Sequence, residues 1–254
     1  MSKIGLVLSG GGTRCIAHLG IIKALNELGI KADIISGTSG GAAVGAFLTK
    51  GYSPEKITEI IKNGKLFDFK HFLFGKAGLF NMSLFEELIL EHFPENTFES
   101  LSMPFYVAAT DIMNGEVVYF WSGKLSTAII ASSCIPVVFE PIAFRDYLLV
   151  DGGVLNNLPI EPIKDQCDKL IGIHVNSVST RKKDLHMKDM LDRSFHFALR
   201  SSVMQKAHLC DLFLEPPHMT QYGMFDFDKS EEIFEYAYKY AIEQKERILA
   251  FKAL

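Results

Sequence analysis

Two glycine-dense turns, each between a short apolar run and a helical pattern, constrain this chain more than any other feature. Ile4–Leu8 is nearly continuous in apolar residues, as expected for a strand buried on both faces, and Gly10-Gly11-Gly12 breaks it. From Cys15 the spacing becomes helical through Ile16, Leu19, Ile22, Leu25 and Leu28, and Gly29 stands where a helix-closing glycine belongs. Residues 33–36 form a second apolar run. The turn Gly37-Thr38-Ser39-Gly40-Gly41 follows, and then a helix of small residues reaching about Thr49. Strand, glycine turn and helix, repeated, predict the opening of a parallel α/β sheet.

Further along, Ser53-Pro54-Glu55 opens another helix, and Ser83-Leu84-Phe85-Glu86 reads as a capping box before a helix to about His92. Residues 105–112 and 116–121 are strands joined around Asn114-Gly115, a hairpin signal. Strands are also expected at 147–150, 170–175 and 212–214, and residues 184–209 and 229–252 read as mainly helical. The expected fold is α/β, a mainly parallel sheet with helices on both faces. No repeat or linker divides the chain, so residues 1–254 are read as one domain, with a C-terminal helical part from 184.

The formal net charge is −4 and no basic stripe stands out, which argues against nucleic acid as a partner. Arg181-Lys182-Lys183 reads as a solvated loop. The four cysteines, Cys15, Cys134, Cys167 and Cys210, are scattered without zinc spacing and fit a reducing compartment. The N-terminal apolar run is too short for a signal peptide, and no apolar stretch has transmembrane length. The expectation is a cytoplasmic protein able to visit a membrane surface, with no metal and no cofactor.

Gly37-x-Ser39-x-Gly41 is the pattern of a nucleophile elbow, in which a sharp strand-to-helix turn exposes a serine Oγ and the flanking glycines avoid Cβ clashes. The glycines at 10–12 can turn several backbone N–H groups toward one point, as an oxyanion hole requires. Arg14 is a candidate brace for that loop or a contact for an anionic head group. A rival reading is a nucleotide-binding loop, or a lipid-binding module without catalysis. Against the dinucleotide loop, Cys15 stands where the third glycine belongs, and Asp33 begins the second strand where a ribose-binding acid should end it. For the base, Asp151 ends an apolar strand and precedes Gly152-Gly153, where partial desolvation raises its proton affinity. A Ser–His–Asp triad stays open, with His174 at a strand end as its best histidine.

Four stretches together resemble the patatin-like phospholipase family, most closely its small bacterial branch. They are Gly10-Gly11-Gly12-Thr13-Arg14, Gly37-Thr38-Ser39-Gly40-Gly41, the Ser/Ala-rich segment Ala131-Ser132-Ser133-Cys134-Ile135-Pro136, and Asp151-Gly152-Gly153. The resemblance covers roughly residues 4–176. It implies a three-layer sandwich and a serine hydrolase of lipid esters, of phospholipase A or lysophospholipase type. It further implies a Ser39–Asp151 dyad without histidine and an oxyanion hole at Gly10, Gly11 and Gly12. Cys15 departs from the family pattern, where glycine is usual. The phenylalanine-rich stretch 66–80 fits neither helix nor strand and is a candidate apolar cap over an acyl chain.

Overall fold

The structure is a computed structural model that describes residues 2–63, 82–177 and 187–253. The expected cap at 66–80 and the basic cluster at 181–183 lie outside the described residues.

Eight strands form one sheet: β1 (Ile4–Leu8), β2 (Ile34–Thr38), β3 (Phe105–Asp111), β4 (Glu116–Phe120), β5 (Ile142–Phe144), β6 (Tyr147–Asp151), β7 (Lys169–Ile173) and β8 (Leu212–Leu214). Their order is β5-β6-β3-β2-β1-β7-β8, with β4 also paired to β3. The run β3-β2-β1-β7-β8 is parallel throughout, and β4 and β6 are antiparallel to β3. Among the described residues the α-helices are α1 (Ile16–Glu27), α2 (Gly40–Thr49), α3 (Pro54–Asn63), α4 (Ser83–His92), α5 (Leu125–Ser133), α6 (Met187–Ala207), α7 (Ser230–Glu243) and α8 (Lys245–Ala253). The expected mainly parallel α/β sheet flanked by helices is what forms.

The period-2 alternation of strand side chains divides the core. Leu6 and Leu8 of β1 and Ile171 and Ile173 of β7 join one large apolar cluster with α1, α2, α5, α7 and α8. Val7 and Leu170 face a smaller one, to which, among the described residues, α6 alone of the helices contributes a buried side chain, Val203. Helices cover both faces, but unevenly.

Local chemistry explains most boundaries. Gly29 has φ +75° just past α1, and its N–H bonds to the Asn26 carbonyl at 3.0 Å, the left-handed closure expected of it. Ser53 Oγ accepts the Lys56 N–H at 3.2 Å at the start of α3. The capping box expected at Ser83 and Glu86 does not form. Met82 is the N-cap, Ser83 is already helical, and Glu86 Oε1 instead accepts from Ser126 Oγ at 3.2 Å. The helical stretch at 229–252 is broken at Gln244 into α7 and α8. Helix α5 was not anticipated, because its Ser, Thr and Ile residues lack helix preference and packing decides its state.

Helix α7 lies against α1 at Gly20, where a Cβ would collide with the Phe234 carbonyl and stand 2.8 Å from the Tyr238 nitrogen. Gly20→Ala is therefore expected to cost about 1–3 kcal/mol through overpacking, read as a lower urea midpoint. An unchanged midpoint would show that the two helices separate freely.

Candidate active site

Sheet register builds the site. β2 pairs with β3 over Phe105–Ala108, with Thr38 opposite Ala108. β6 pairs with the rest of β3, with Ala109 opposite Asp151. Thr38 and Asp151 thus face consecutive residues of β3, and Ser39, next after Thr38, arrives beside the carboxylate. Ser39 Oγ donates to Asp151 Oδ2 at 2.7 Å.

The turn holds Ser39 at φ +55° and ψ −130°, a conformation that costs a non-glycine residue about 1–3 kcal/mol. Neighbouring contacts keep it there. Its N–H donates to Ser132 Oγ at 2.7 Å, and Ser132 Oγ donates to the Ala108 carbonyl at 2.6 Å. A Cβ on Gly41 would collide with the Ser9 carbonyl, and one on Gly37 would stand 2.7 Å from the Gly41 carbonyl. Helix α2 begins at Gly40, so its amide end adjoins the hydroxyl.

Asp151 is buried. Its Oδ1 accepts the Gly153 N–H at 2.7 Å, and its own N–H bonds to the Cys134 carbonyl at 2.8 Å. Desolvation raises its pKa to about 6, against the opposing pull of the bonds from Ser39 and Gly153. The carboxylate is a stronger base than an exposed one, yet ionised at neutral pH.

The glycine loop lies across from the elbow. A Cβ on Gly10 would sit 2.9 Å from Ser39 Cβ. The Gly10 N–H donates to Asn157 Oδ1 at 3.0 Å and its carbonyl accepts from Asn176 Nδ2 at 2.6 Å, so Gly10 is the loop's anchor and its amide is already committed. Of the three glycines expected to form an oxyanion hole, Gly10 thus has its N–H turned to Asn157. The amides of Gly11 and Gly12 carry no hydrogen bond among the described residues, and Gly12 takes φ +58°. Arg14 is buried, with Nε on the Tyr222 carbonyl at 2.7 Å and Nη1 on Asn176 Oδ1 at 3.2 Å. These two bonds tie it to the segment at Tyr222 and to the asparagine that holds Gly10. Cys15 Sγ packs where a Gly40 Cβ would come within 2.8 Å, and burial together with the Asp151 charge pushes its thiol pKa up.

His174 does not join this group. It is buried with Nδ1 against Glu215 Oε1 at 3.0 Å, Glu215 also pairs with Arg200, and burial lowers the imidazole's pKa. Ser132, Asn157 and Asn176 were missed by sequence reasoning. Ser132 at least lay within the Ser/Ala-rich segment, whereas the asparagines carry no local signature.

Ser39 borders two chambers. One is apolar, with Ile16, Val44, Phe47, Phe85 and Phe139 among its lining residues. The other is lined by Asp151, Asn157, Asn176, Gly10 and Gly11 together with Ile135, Val154 and Leu199. Among the described residues no cluster of His, Cys, Asp or Glu could hold a metal, and no helix is long and apolar enough to cross a membrane.

The family model described as "Patatin-like phospholipase" matches residues 6–164, which include Ser39 and Asp151. The chain belongs to the patatin-like phospholipase family. It is 28% identical to the patatin-like phospholipase domain-containing protein ZK370.4 of Caenorhabditis elegans, over 95% of this chain and 20% of that protein. It is 29% identical to the lysophospholipase NTE1 of Scheffersomyces stipitis, over 94% of this chain and 18% of that one. The chain thus spans about a fifth of the length of these relatives. Among solved structures, VipD from Legionella pneumophila superposes with a TM-score of 0.60 at 13% identity, over 98% of this chain and 67% of that one. The type III effector protein ExoU gives 0.53 at 14% identity, over 98% and 54%. At these identities the two structures speak for the fold.

The raised pKa of Asp151 has a signed consequence for stability. Below the ordinary value of 3.8 the residue is protonated folded and unfolded alike; between 3.8 and about 6 the fold loses stability as pH rises, and above that the cost is constant. Asp151→Asn removes the charge, so it is expected to stabilise the fold at pH 7 by up to roughly 3 kcal/mol, with the gain gone below pH 4. Urea melts at pH 4 and pH 7 check this, and a variant less stable at pH 7 than wild type would refute it.

Proposed function

We propose that this chain is a serine acyl-ester hydrolase acting on lipid esters, of phospholipase A or lysophospholipase type, through Ser39 and Asp151. The observation that carries the reading is the 2.7 Å Ser39–Asp151 hydrogen bond at the edge of an apolar chamber. Family membership supports the substrate class.

Ionised Asp151 accepts the Ser39 proton through Oδ2 as Oγ attacks the ester carbonyl. The developing oxyanion is held by the amides of Gly11 and Gly12, and the N-terminal end of α2 adds to the field. Protonated Asp151 returns the proton to the departing alcohol oxygen. Water then attacks the acyl-enzyme, with Asp151 taking its proton and delivering it to Ser39 Oγ. A carboxylate with a pKa of about 6 is a modest base, which suits an alcohol leaving group better than an amine. The apolar chamber takes the acyl chain, and the one that holds Asp151 takes the alcohol. All four cysteines are free, which accords with a cytoplasmic setting in which the enzyme meets lipid surfaces peripherally.

Labelling with a fluorophosphonate probe tests the dyad. Wild type and His174→Gln should label, whereas Ser39→Ala should not and Asp151→Asn should label at least a hundredfold more slowly. The acidic limb of kcat/KM on nitrophenyl esters should fall near pH 6, where Asp151 loses its charge. An unlabelled, inert wild type would overturn the hydrolase reading; loss of labelling in folded His174→Gln alone would replace the dyad with a triad.

A further inference from the structure

The apolar chamber has a wall that the family match, ending at residue 164, does not include. Met224, Phe225 and Phe227, from the run between β8 and α7, line it together with Ser39. The rest of its aromatic and aliphatic lining includes Phe47 of α2, Ile61 of α3, and Phe85 and Leu88 of α4. We infer that residues 222–227 set the length of acyl chain the enzyme accepts, an inference that rests on the acyl-hydrolase reading above.

The segment is fixed relative to the catalytic loop. Met224 O accepts both the N–H and the Oγ1 of Thr13, each at 2.9 Å, and Tyr222 O accepts from Arg14 Nε at 2.7 Å. A Cβ on Gly12 would collide with Met224 O, so the two backbones touch. Within the segment, the Gly223 N–H is tied to Asp226 Oδ2 at 2.7 Å and the Lys229 N–H to the Asp226 carbonyl at 3.0 Å, making a closed turn that carries Phe225 and Phe227. Met224 also lines the chamber that holds Asp151, so the segment touches both chambers that Ser39 borders, with Phe225 and Phe227 on the apolar one.

That arrangement measures distance from the nucleophile. A saturated chain offers no polar group to recognise, so selection among chain lengths comes only from how much apolar surface is buried before atoms collide. Because the wall is bonded to the loop facing Ser39, its distance from the reacting carbon is preserved as other parts of the chamber adjust. Each methylene accommodated should raise kcat/KM about fourfold, and the rise should stop where the chain meets the rings.

The test is a series of p-nitrophenyl esters from butanoate to hexadecanoate with the full chain, comparing wild type with Phe227→Ala, Phe227→Leu and Phe227→Trp. The readout is the ratio of long-chain to short-chain kcat/KM within each variant. Alanine and leucine should move the break to longer chains, raising the ratio about tenfold or more, which is the gain from two further methylenes; tryptophan should move it to shorter ones. Should Phe227→Ala fail to fold, the leucine and tryptophan variants carry the comparison in opposite directions. An unchanged break, or a loss equal at every chain length, overturns the inference. A wild type that hydrolyses none of the esters fails the acyl-hydrolase reading instead.

Discussion

Everything at this site depends on two backbone turns being allowed to touch. The first residues of α2 press against the end of β1 so closely that any side chain on Gly41 would strike the Ser9 and Leu8 carbonyls. Gly10 approaches Ser39 with the same intimacy. Parallel pairing of β1 and β2, with Leu8 opposite Gly37, brings the turns to one edge of the sheet, and the glycines close the remaining gap. The strained backbone of Ser39 is tolerable only because this contact and the Ser132 hydroxyl hold it from both sides.

A second layer of polar side chains does the aiming. Asn157 and Asn176 take the N–H and the carbonyl of Gly10, Arg14 takes Asn176, and Ser132 takes the Ser39 amide. Burial strengthens these bonds by keeping water from competing for them. The same burial raises the proton affinity of Asp151, so one environment both stiffens the loop and shifts this carboxylate. The Asp151 carboxylate touches the Ser39 hydroxyl directly.

Much of this was legible in the sequence because it is written locally. Apolar runs interrupted by glycines mark β1 and β2, Gly29 and Asn114-Gly115 announce their own turns, and Asp151 stands out by ending a strand before two glycines. What was not legible depends on distant partners. Helix α5 is made of residues with little intrinsic helicity, and β5 is three residues long with nothing to mark it. Ser83 and Glu86 have the right spacing for a capping box, but Met82 takes the cap and Glu86 bonds to Ser126. Arg14 could be read as brace or head-group contact, and its bond to the carbonyl of Tyr222, far along the chain, has no local signature. The commitment of the Gly10 amide to Asn157 was invisible for the same reason.

The tie between Thr13 and Met224 spans 211 residues of sequence, so the glycine loop is completed by chain that is synthesised last. Translation delivers Ser39, the glycine loop and Asp151 long before the segment that brackets the loop and walls the apolar chamber. A nascent chain that has emerged only through β7 holds all three, yet the Arg14 side chain still lacks its Tyr222 acceptor and the chamber lacks one of its walls.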